Sequence, residues 1–351
     1  MVFVGPLAWG AERDRVIDLV RRMDWPVIPD VLSGMRLGII DDNLVPYSDI
    51  LLMARKQVQI ESPQVVLHLG GRPTSERVQG FLKALRPDAY IQVCEHNYRQ
   101  DPNSVVTNRL TCSISRFVDG IRPQITSREI PPLWSNAHLI ATKQAIMNLL
   151  EEEFSMSEPA VCRMVSRNLV DQSALFLSSS LPIREMNSFA VEDGPALPVA
   201  ANRGASGIDG VVASAVGYAR GVGMQVTLVI GDLALLHDLN SLALTRRLRE
   251  PMTIVVLNNN GGGIFNLLPI AQQHAVFERF FATPHDLNFE PAAKMFGLEY
   301  FHPDSAEEFV AQYRAAQRGQ RSAIIEVTTD RSQTADIYRN LKERVIEALS
   351  Q

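Results

Sequence analysis

Residues 255–265 read Val-Val-Leu-Asn-Asn-Asn-Gly-Gly-Gly-Ile-Phe, an apolar, β-branched run that ends in three asparagines and three glycines. The apolar run predicts a buried strand. Glycines directly after a strand allow positive φ angles and a close approach of the backbone to a ligand. Asparagine side chains add uncharged oxygen atoms that can bind a cation. Taken alone, the stretch is also compatible with an ordinary tight turn.

A second strand end of the same kind comes earlier in the chain. Residues 229–232 read Val-Ile-Gly-Asp before a predicted helix, where Asp232 taken alone could simply be a helix N-cap. Asp232 and Asn259 are 27 residues apart, the length of one helical crossover between neighbouring parallel strands. Ligands of open α/β sheets bind at the carboxyl ends of strands, so both side chains are expected at one edge. One carboxylate, one amide oxygen and a glycine carbonyl suit Mg²⁺.

The rest of the chain alternates short apolar runs with longer amphipathic segments. Strands are predicted at 2–5, 26–29, 65–71, 89–94, 174–178, 197–201, 226–231, 253–257 and 323–327. Helices are predicted at 11–23, 47–55, 75–85, 135–154, 158–170, 210–220, 233–248, 306–317 and 334–349. This alternation predicts an α/β fold of two doubly wound parallel-sheet domains. Three prolines within 122–132 favour a linker, and we predict domains at 1–125 and 135–351 joined by a linker at 126–134.

Composition and charge exclude several functional classes. The chain has 34 Lys and Arg against 39 Asp and Glu, and the net charge of −5 comes without the basic patch of a nucleic-acid-binding protein. No apolar stretch approaches the roughly 18–20 residues that would span a membrane. The three cysteines are far apart, and strand-like residues follow Met1 directly, without the pattern of a targeting leader. We therefore expect a cytoplasmic protein.

The two strand ends resemble the metal and diphosphate motif of thiamine-diphosphate-dependent enzymes. Four stretches narrow the resemblance to one branch, the SEPHCHC synthase (MenD) family of menaquinone biosynthesis: 178–184, 202–210, 231–240 and 258–269. Leu233 stands where most of the superfamily has a glycine after the aspartate, and this departure matches the same branch. Residues 25–34, Trp-Pro-Val-Ile-Pro-Asp-Val-Leu-Ser-Gly, resemble the middle domain of that family.

The resemblance implies a transferase that forms a carbon–carbon bond. In this family 2-oxoglutarate is decarboxylated on thiamine diphosphate, and the resulting succinyl-semialdehyde carbanion adds to isochorismate. The product is 2-succinyl-5-enolpyruvyl-6-hydroxy-3-cyclohexene-1-carboxylate, on the menaquinone or phylloquinone pathway. The implied cofactors are thiamine diphosphate and Mg²⁺, with Mn²⁺ as an alternative metal.

The resemblance also implies a role for individual residues. The metal ligands would be Asp232, Asn259 and the backbone oxygen of Gly261. The cofactor would contact these three and also Ser206, Ile208, Gly231, Leu233 and Ile264, with Ile208 as the apolar wedge that bends it. The substrate-binding residues would be Ser180, Arg184, Arg203, Phe265 and Leu268. Both substrates carry two carboxylates, and guanidinium groups pair with these bidentately. His68, His237, His274 and His285 are assigned no catalytic role.

We expect one domain of the enzyme, which carries the catalytic glutamate, to be provided by another polypeptide. The catalytic glutamate of the family lies in an N-terminal pyrimidine-binding domain, and we recognise no such segment in this sequence. We therefore expect a truncated or split gene product that needs this domain in trans. As partners we expect further copies in a homo-oligomer, a separate pyrimidine-domain chain, or both. Two alternatives remain: another thiamine-diphosphate lyase or decarboxylase resembling acetolactate synthase, which the two arginines disfavour, and a non-catalytic regulatory derivative that binds the cofactor.

Overall fold

The computed structural model describes residues 1–56, 62–125 and 134–349, which form two compact units. Unit 1 comprises Met1–Ile146 and the end of the chain from Lys342, and unit 2 comprises Met147–Leu341. The predicted linker at 126–134 lies outside the described residues except for Trp134, whose ring centroid is 6.1 Å from that of Phe81. The domain limits therefore stay a prediction. Within the described ranges, no helix is both long enough and apolar enough to cross a membrane.

Unit 1 is built on a five-stranded sheet in the order β2-β1-β3-β4-β5, and all its strand pairs are parallel. The strands are β1 (Val2–Val4), β2 (Val27–Pro29), β3 (Val65–Leu69), β4 (Ala89–Cys94) and β5 (Asn108–Thr111). The helices are α1 (Ala11–Met23), α2 (Ser48–Leu51), α3 (Glu76–Ala84), α4 (Ile114–Ile121) and α5 (Asn136–Met147). The sequence did not predict β5, because its residues Asn-Arg-Leu-Thr are largely exposed and form no apolar run.

His68 lies at the carboxyl end of β3 and is part of the packing of unit 1. Its ring lies edge-on to that of Phe3, with centroids 4.7 Å apart. Nε2 is 2.8 Å from the Gly71 carbonyl oxygen, and Nδ1 is 3.1 Å from the Tyr90 hydroxyl. Since a carbonyl oxygen can only accept, Nε2 carries the proton and Nδ1 accepts from Tyr90. Burial lowers the pKa of His68 to about 4.

Unit 2 is built on a six-stranded parallel sheet in the order β10-β11-β9-β8-β6-β7. The strands are β6 (Ala174–Leu177), β7 (Val199–Ala201), β8 (Val226–Gly231), β9 (Met252–Asn258), β10 (Glu299–Phe301) and β11 (Ala323–Thr328). The helices are α6 (Glu158–Asn168), α7 (Leu181–Phe189), α8 (Val211–Val222), α9 (Asp232–His237), α10 (His274–Phe277), α11 (Glu290–Phe296), α12 (Ala306–Arg318) and the first part of α13 (Arg331–Leu349), whose residues from Lys342 onward belong to unit 1. Two parallel-sheet α/β units confirm the predicted fold class.

Two long predicted helices are shorter than expected. The helix predicted at 135–154 is α5 followed by a π-helical turn, Asn148–Glu153. The helix predicted at 233–248 breaks at Asp238 into the six-residue α9 and a 3₁₀ segment, Leu239–Arg247. The Asp238 carboxylate accepts one hydrogen bond from the Ser241 hydroxyl, a local bond of the kind that competes with helical ones, and another from the Ala213 backbone N–H, 25 residues away. The prediction of one continuous helix was wrong for this reason.

The buried His68 predicts an acid-sensitive unit 1. The unfolded chain takes up a proton near pH 6.5 that the folded unit excludes until about pH 4, so stability falls on acidification through this window. The cost is at most about 3 kcal/mol. In urea titrations between pH 7 and pH 4, we expect His68→Gln to flatten the pH dependence and the exposed His274→Gln to leave it unchanged. If the free energy of unfolding of His68→Gln depends on pH as steeply as that of the unsubstituted chain, buried His68 is not the source of the acid sensitivity.

Candidate functional site

The four sequence stretches that carry the family resemblance leave the unit 2 sheet at the same edge. β8 and β9 are parallel neighbours, with Gly231 paired to Leu257, so Asp232 and Asn259 follow directly at their carboxyl ends. β6 lies on the other side of β8 and is followed by 178–184, and β7 pairs with β6 and is followed by 202–210. The expectation that Asp232 and Asn259 lie at one sheet edge is confirmed.

Asp232 is a buried carboxylate at the first position of α9. Its Oδ2 accepts a hydrogen bond of 2.8 Å from the Gly261 backbone N–H, and its Oδ1 accepts one of 2.6 Å from the Leu233 N–H. Burial raises the pKa of Asp232, and these hydrogen bonds oppose that rise. α9 has no side-chain N-cap, so the capping interpretation of Asp232 does not account for its position.

His285 is a neighbour of Asp232 that the sequence did not reveal. Its Nε2 lies 3.1 Å from Asp232 Oδ2, across 53 residues of sequence. The Leu287 backbone N–H donates to His285 Nδ1 at 3.0 Å, so in the neutral ring the proton is on Nε2 and points at the carboxylate. His285 is therefore a hydrogen-bond donor to Asp232.

Asn259 contacts a second buried acid, Glu158. Asn259 Nδ2 donates to Glu158 Oε1 at 2.6 Å, and Asn259 Oδ1 is buried without a hydrogen-bond partner among the described residues. Burial raises the pKa of Glu158 to about 7, and the nearby charge of Asp232 acts in the same direction. From the sequence, Glu158 was predicted only as the start of a helix. Its contact with Asn259 was not predicted, because 101 residues separate the two.

The glycines after Asn260 are required by a close approach of the backbone. Gly261 has φ +137°, and a Cβ there would lie 2.0 Å from the Ala282 carbonyl oxygen. A Cβ on Gly262 would lie 2.4 Å from the Phe281 carbonyl oxygen, and the Gly262 N–H donates to Ala282 at 2.7 Å. Ala282 ends a π-helical turn, Glu278–Ala282, so the glycine loop is packed directly against this turn.

These residues surround a cavity of about 170 Å³. It is lined by nine of the predicted site residues, Ser180, Ile208, Gly231, Asp232, Leu233, Asn259, Gly261, Ile264 and Phe265, and also by Glu158 and Ser179, which were not predicted. Four predicted residues do not line it. Arg203 and Ser206 are exposed in the turn after β7, Leu268 is about half exposed, and Arg184 donates to the Ser180 carbonyl oxygen at 2.6 Å.

The cavity offers oxygen ligands of the kind that a divalent cation needs. In the described part of the chain, no three His, Cys, Asp or Glu side chains converge as a metal site. Oxygen ligands are available instead from the Asp232 carboxylate, from Asn259 Oδ1, which no described residue hydrogen-bonds, and from the Gly261 carbonyl, which accepts one bond of 3.1 Å from the Gly263 N–H. This set is uncharged apart from one carboxylate, and it fits Mg²⁺ that also binds phosphate oxygens.

Two family models match this chain, one in each half. The family model for the middle domain of thiamine pyrophosphate enzymes matches residues 1–177. The model for their C-terminal, thiamine-pyrophosphate-binding domain matches residues 198–327. The chain belongs to the thiamine-pyrophosphate enzyme family. The resemblance drawn from the strand-end motifs is thereby confirmed. The cavity residues from Ile208 to Phe265 lie in the part that matches the cofactor-binding domain, whereas Glu158 and Ser180 lie outside that part.

Curated relatives narrow the family. 2-Succinyl-5-enolpyruvyl-6-hydroxy-3-cyclohexene-1-carboxylate synthase from Rubrobacter xylanophilus is 42% identical over 97% of this chain and 59% of its own length. The synthase of the same name from Salinibacter ruber is 36% identical over 100% of this chain and 60% of its own length. The chain thus spans about 60% of these two relatives. A crystal structure of a Mycobacterium smegmatis protein, described as a thiamin-diphosphate-dependent enzyme, has the same fold, with a TM-score of 0.64 and 16% identity. The match covers 94% of this chain and 61% of that one.

The close approach of Ala282 to Gly261 predicts a specific cost of substitution. Gly261→Ala must strain a positive φ and displace the Ala282 carbonyl, and we expect it to lower the free energy of unfolding by about 2–5 kcal/mol. Gly297→Ala is the control, because Gly297 also has a positive φ (+75°) but a Cβ there would meet no neighbouring atom within 4 Å. Gly297→Ala should lower the free energy of unfolding by about 1 kcal/mol. Equal costs in chemical denaturation would contradict the close approach.

Proposed function

We propose that this chain carries the metal- and diphosphate-binding part of a SEPHCHC synthase. Such an enzyme decarboxylates 2-oxoglutarate with thiamine diphosphate and joins the remaining four-carbon unit to isochorismate. The observation that carries the proposal is one cavity lined by the buried Asp232 carboxylate and by Asn259, whose Oδ1 has no hydrogen-bond partner among the described residues. The chain matches such synthases over nearly its whole length. An acetolactate-synthase-like enzyme is not favoured by these relatives.

The cofactor residues follow from the cavity. Asp232, Asn259 and the Gly261 carbonyl would bind Mg²⁺, or Mn²⁺ in its place, and through the metal the diphosphate. Ile208, Gly231, Leu233 and Ile264 line the cavity and would contact the cofactor, with Ser206 on the turn that precedes Ile208. When bound, thiamine diphosphate supplies the carbanion chemistry by which a 2-oxo acid loses CO₂ and its carbonyl carbon becomes nucleophilic. The apolar side chains exclude water from this region.

The residues that we propose to bind the substrates follow strands that end at the same sheet edge. Ser180 lines the cavity with a positive φ of +75°, a backbone strain that non-glycine residues often show at functional sites. Arg184 Nη1 donates to the Ser180 carbonyl oxygen, and Arg203 lies in the turn after the neighbouring β7. Two guanidinium groups at this edge would bind the carboxylates of 2-oxoglutarate and isochorismate. Phe265 and Leu268 would contact the apolar parts of the substrates.

The proposal includes a partner. The curated relatives are longer than this chain. The family resemblance implies that a glutamate of a pyrimidine-binding domain activates the cofactor. We propose that the pyrimidine-binding domain of another subunit completes the cofactor site, and that the subunits form a homo-oligomer, associate with a separate chain that carries this domain, or both. We also propose that the reaction takes place in the cytoplasm.

Loss of the Asp232 carboxylate should abolish cofactor binding. Calorimetric titration of thiamine diphosphate in the presence of Mg²⁺ should show saturable binding to the unsubstituted chain. Asp232→Ala should weaken it at least about 100-fold, because a charged metal ligand is removed. Asp304→Ala, which removes an exposed carboxylate from the loop before α12, is the control and should bind normally. Normal binding by Asp232→Ala, with its fold verified by circular dichroism, would refute the proposed site.

Arg203 should distinguish the synthase from an enzyme acting on small neutral acyl groups. With a pyrimidine-binding domain added, we expect turnover of 2-oxoglutarate with isochorismate and little turnover of pyruvate. Arg203→Ala should lower kcat/KM for 2-oxoglutarate by about 10- to 100-fold, the effect of losing one charged hydrogen-bonding pair. Arg220→Ala, an exposed arginine of α8, should have no effect. A preference for pyruvate, or full activity without the added domain, would contradict the proposal.

A further inference from the structure

Glu158 lies where it can determine which end of the Asn259 amide faces the cavity. The two ends of an asparagine amide have nearly the same shape, but only Oδ1 can bind a cation, since Nδ2 carries two hydrogens. Asn259 Nδ2 is 2.6 Å from Glu158 Oε1, and Oδ1 is buried on the other side without a partner among the described residues. The reverse orientation would bring two oxygens together at that distance.

The position of Glu158 favours the state in which it accepts this hydrogen bond. It is the first residue of the 11-residue α6, whose N-cap Ser157 accepts from the Ala160 N–H. Acidic groups in the first turn of a helix are stabilised by the helix dipole and its unpaired N–H groups. Since the side chain is only 2% exposed, water does not compete for Oε1. The Asn259 amide nitrogen therefore has a fixed acceptor.

The small residues around Asn259 add a steric limit. A Cβ on Gly263 would lie 2.4 Å from Asn259 Nδ2, so the amide packs directly against the Gly263 backbone. The amide plane is thus confined between Gly263 and Glu158. This confinement does not decide which end of the amide, Oδ1 or Nδ2, points toward Glu158. Within the described part of the chain, Glu158 is the side chain that hydrogen-bonds to this amide.

The geometry points to Glu158 as a positioning residue of the metal site: by accepting the Nδ2 hydrogen bond, it presents Asn259 Oδ1 to the cation. This inference rests on the proposed function, because it requires that Asn259 binds a metal. Groups in the second coordination shell of metal sites commonly change metal affinity by 10- to 100-fold when they are removed. Glu158→Leu should therefore weaken the metal affinity by this factor.

The test uses Mn²⁺ as a spectroscopic probe of the full 351-residue chain with thiamine diphosphate, because the signal of free Mn²⁺ in electron paramagnetic resonance reports binding directly. Glu158→Leu should weaken Mn²⁺ binding about 10- to 100-fold, whereas Glu158→Gln should retain it, since its side-chain oxygen can accept the same bond. Glu185→Leu is the matched control. Glu185 is another fully buried glutamate, in α7, and its carboxyl contacts Cys162 Sγ at 3.9 Å rather than Asn259.

Substitutions of Glu158 in a chain that already carries Asn259→Asp separate an effect on the orientation of the Asn259 side chain from general damage to the fold. In Asn259→Asp both ends of the side chain are oxygens, so no orientation has to be selected, and Glu158 then repels its neighbour. Replacing Glu158 by Gln or Leu in this background should strengthen Mn²⁺ binding, the reverse of the effect of Glu158→Leu on the natural chain. The Gln version keeps the side-chain volume and serves if the Leu version does not fold.

The outcomes are distinguishable. Absence of Mn²⁺ binding by the unsubstituted chain would overturn the proposed function and this role with it. Binding by the unsubstituted chain together with undiminished affinity in Glu158→Leu would overturn only the role of Glu158. Equal weakening by Glu185→Leu, or weakening by Glu158 substitution in the Asn259→Asp background, would show a structural effect and would also overturn it.

Discussion

The hydrogen bond between the Asp232 carboxylate and the Gly261 backbone N–H connects the ends of the two central strands of unit 2. It forms because β8 and β9 run parallel in a register that ends both strands at the same level. It also requires φ +137° at Gly261, where the Ala282 carbonyl leaves no room for a side chain. Burial of a carboxylate is costly unless donors surround it, and Gly261, Leu233 and His285 supply them.

The cavity beside this hydrogen bond has more hydrogen-bond acceptors than donors among its side chains. Glu158, Asp232 and Asn259 line the cavity, and Asn259 Oδ1 has no hydrogen-bond partner in the described structure. Burial raises the pKa of both Glu158 and Asp232. Among the described residues that line the cavity, none is Lys or Arg. A divalent cation would balance these groups, which is the physical basis for proposing a metal there.

The parts of the fold that follow local rules were predictable. The bounds of α1, β4 and β8 agree with the sequence patterns, because each is a continuous apolar or amphipathic run bounded by turn residues. The break of the helix after α9 was not predictable from periodicity, since the Asp238 carboxylate there accepts a hydrogen bond from the backbone N–H of Ala213, 25 residues away. β5 was missed because an exposed edge strand needs no apolar pattern.

By itself, the sequence indicated the family through the resemblance of its motifs. It also determined the two parallel sheets and the pair Asp232 and Asn259, because strand ends in such sheets are set by apolar runs and crossover lengths. Tertiary structure alone decided which groups surround that pair. Glu158 contacts Asn259 across 101 residues and His285 contacts Asp232 across 53, and neither spacing follows a periodicity. The reason is that hydrogen bonds between distant elements depend on how helices and loops pack on the sheet, and local sequence patterns do not encode that packing.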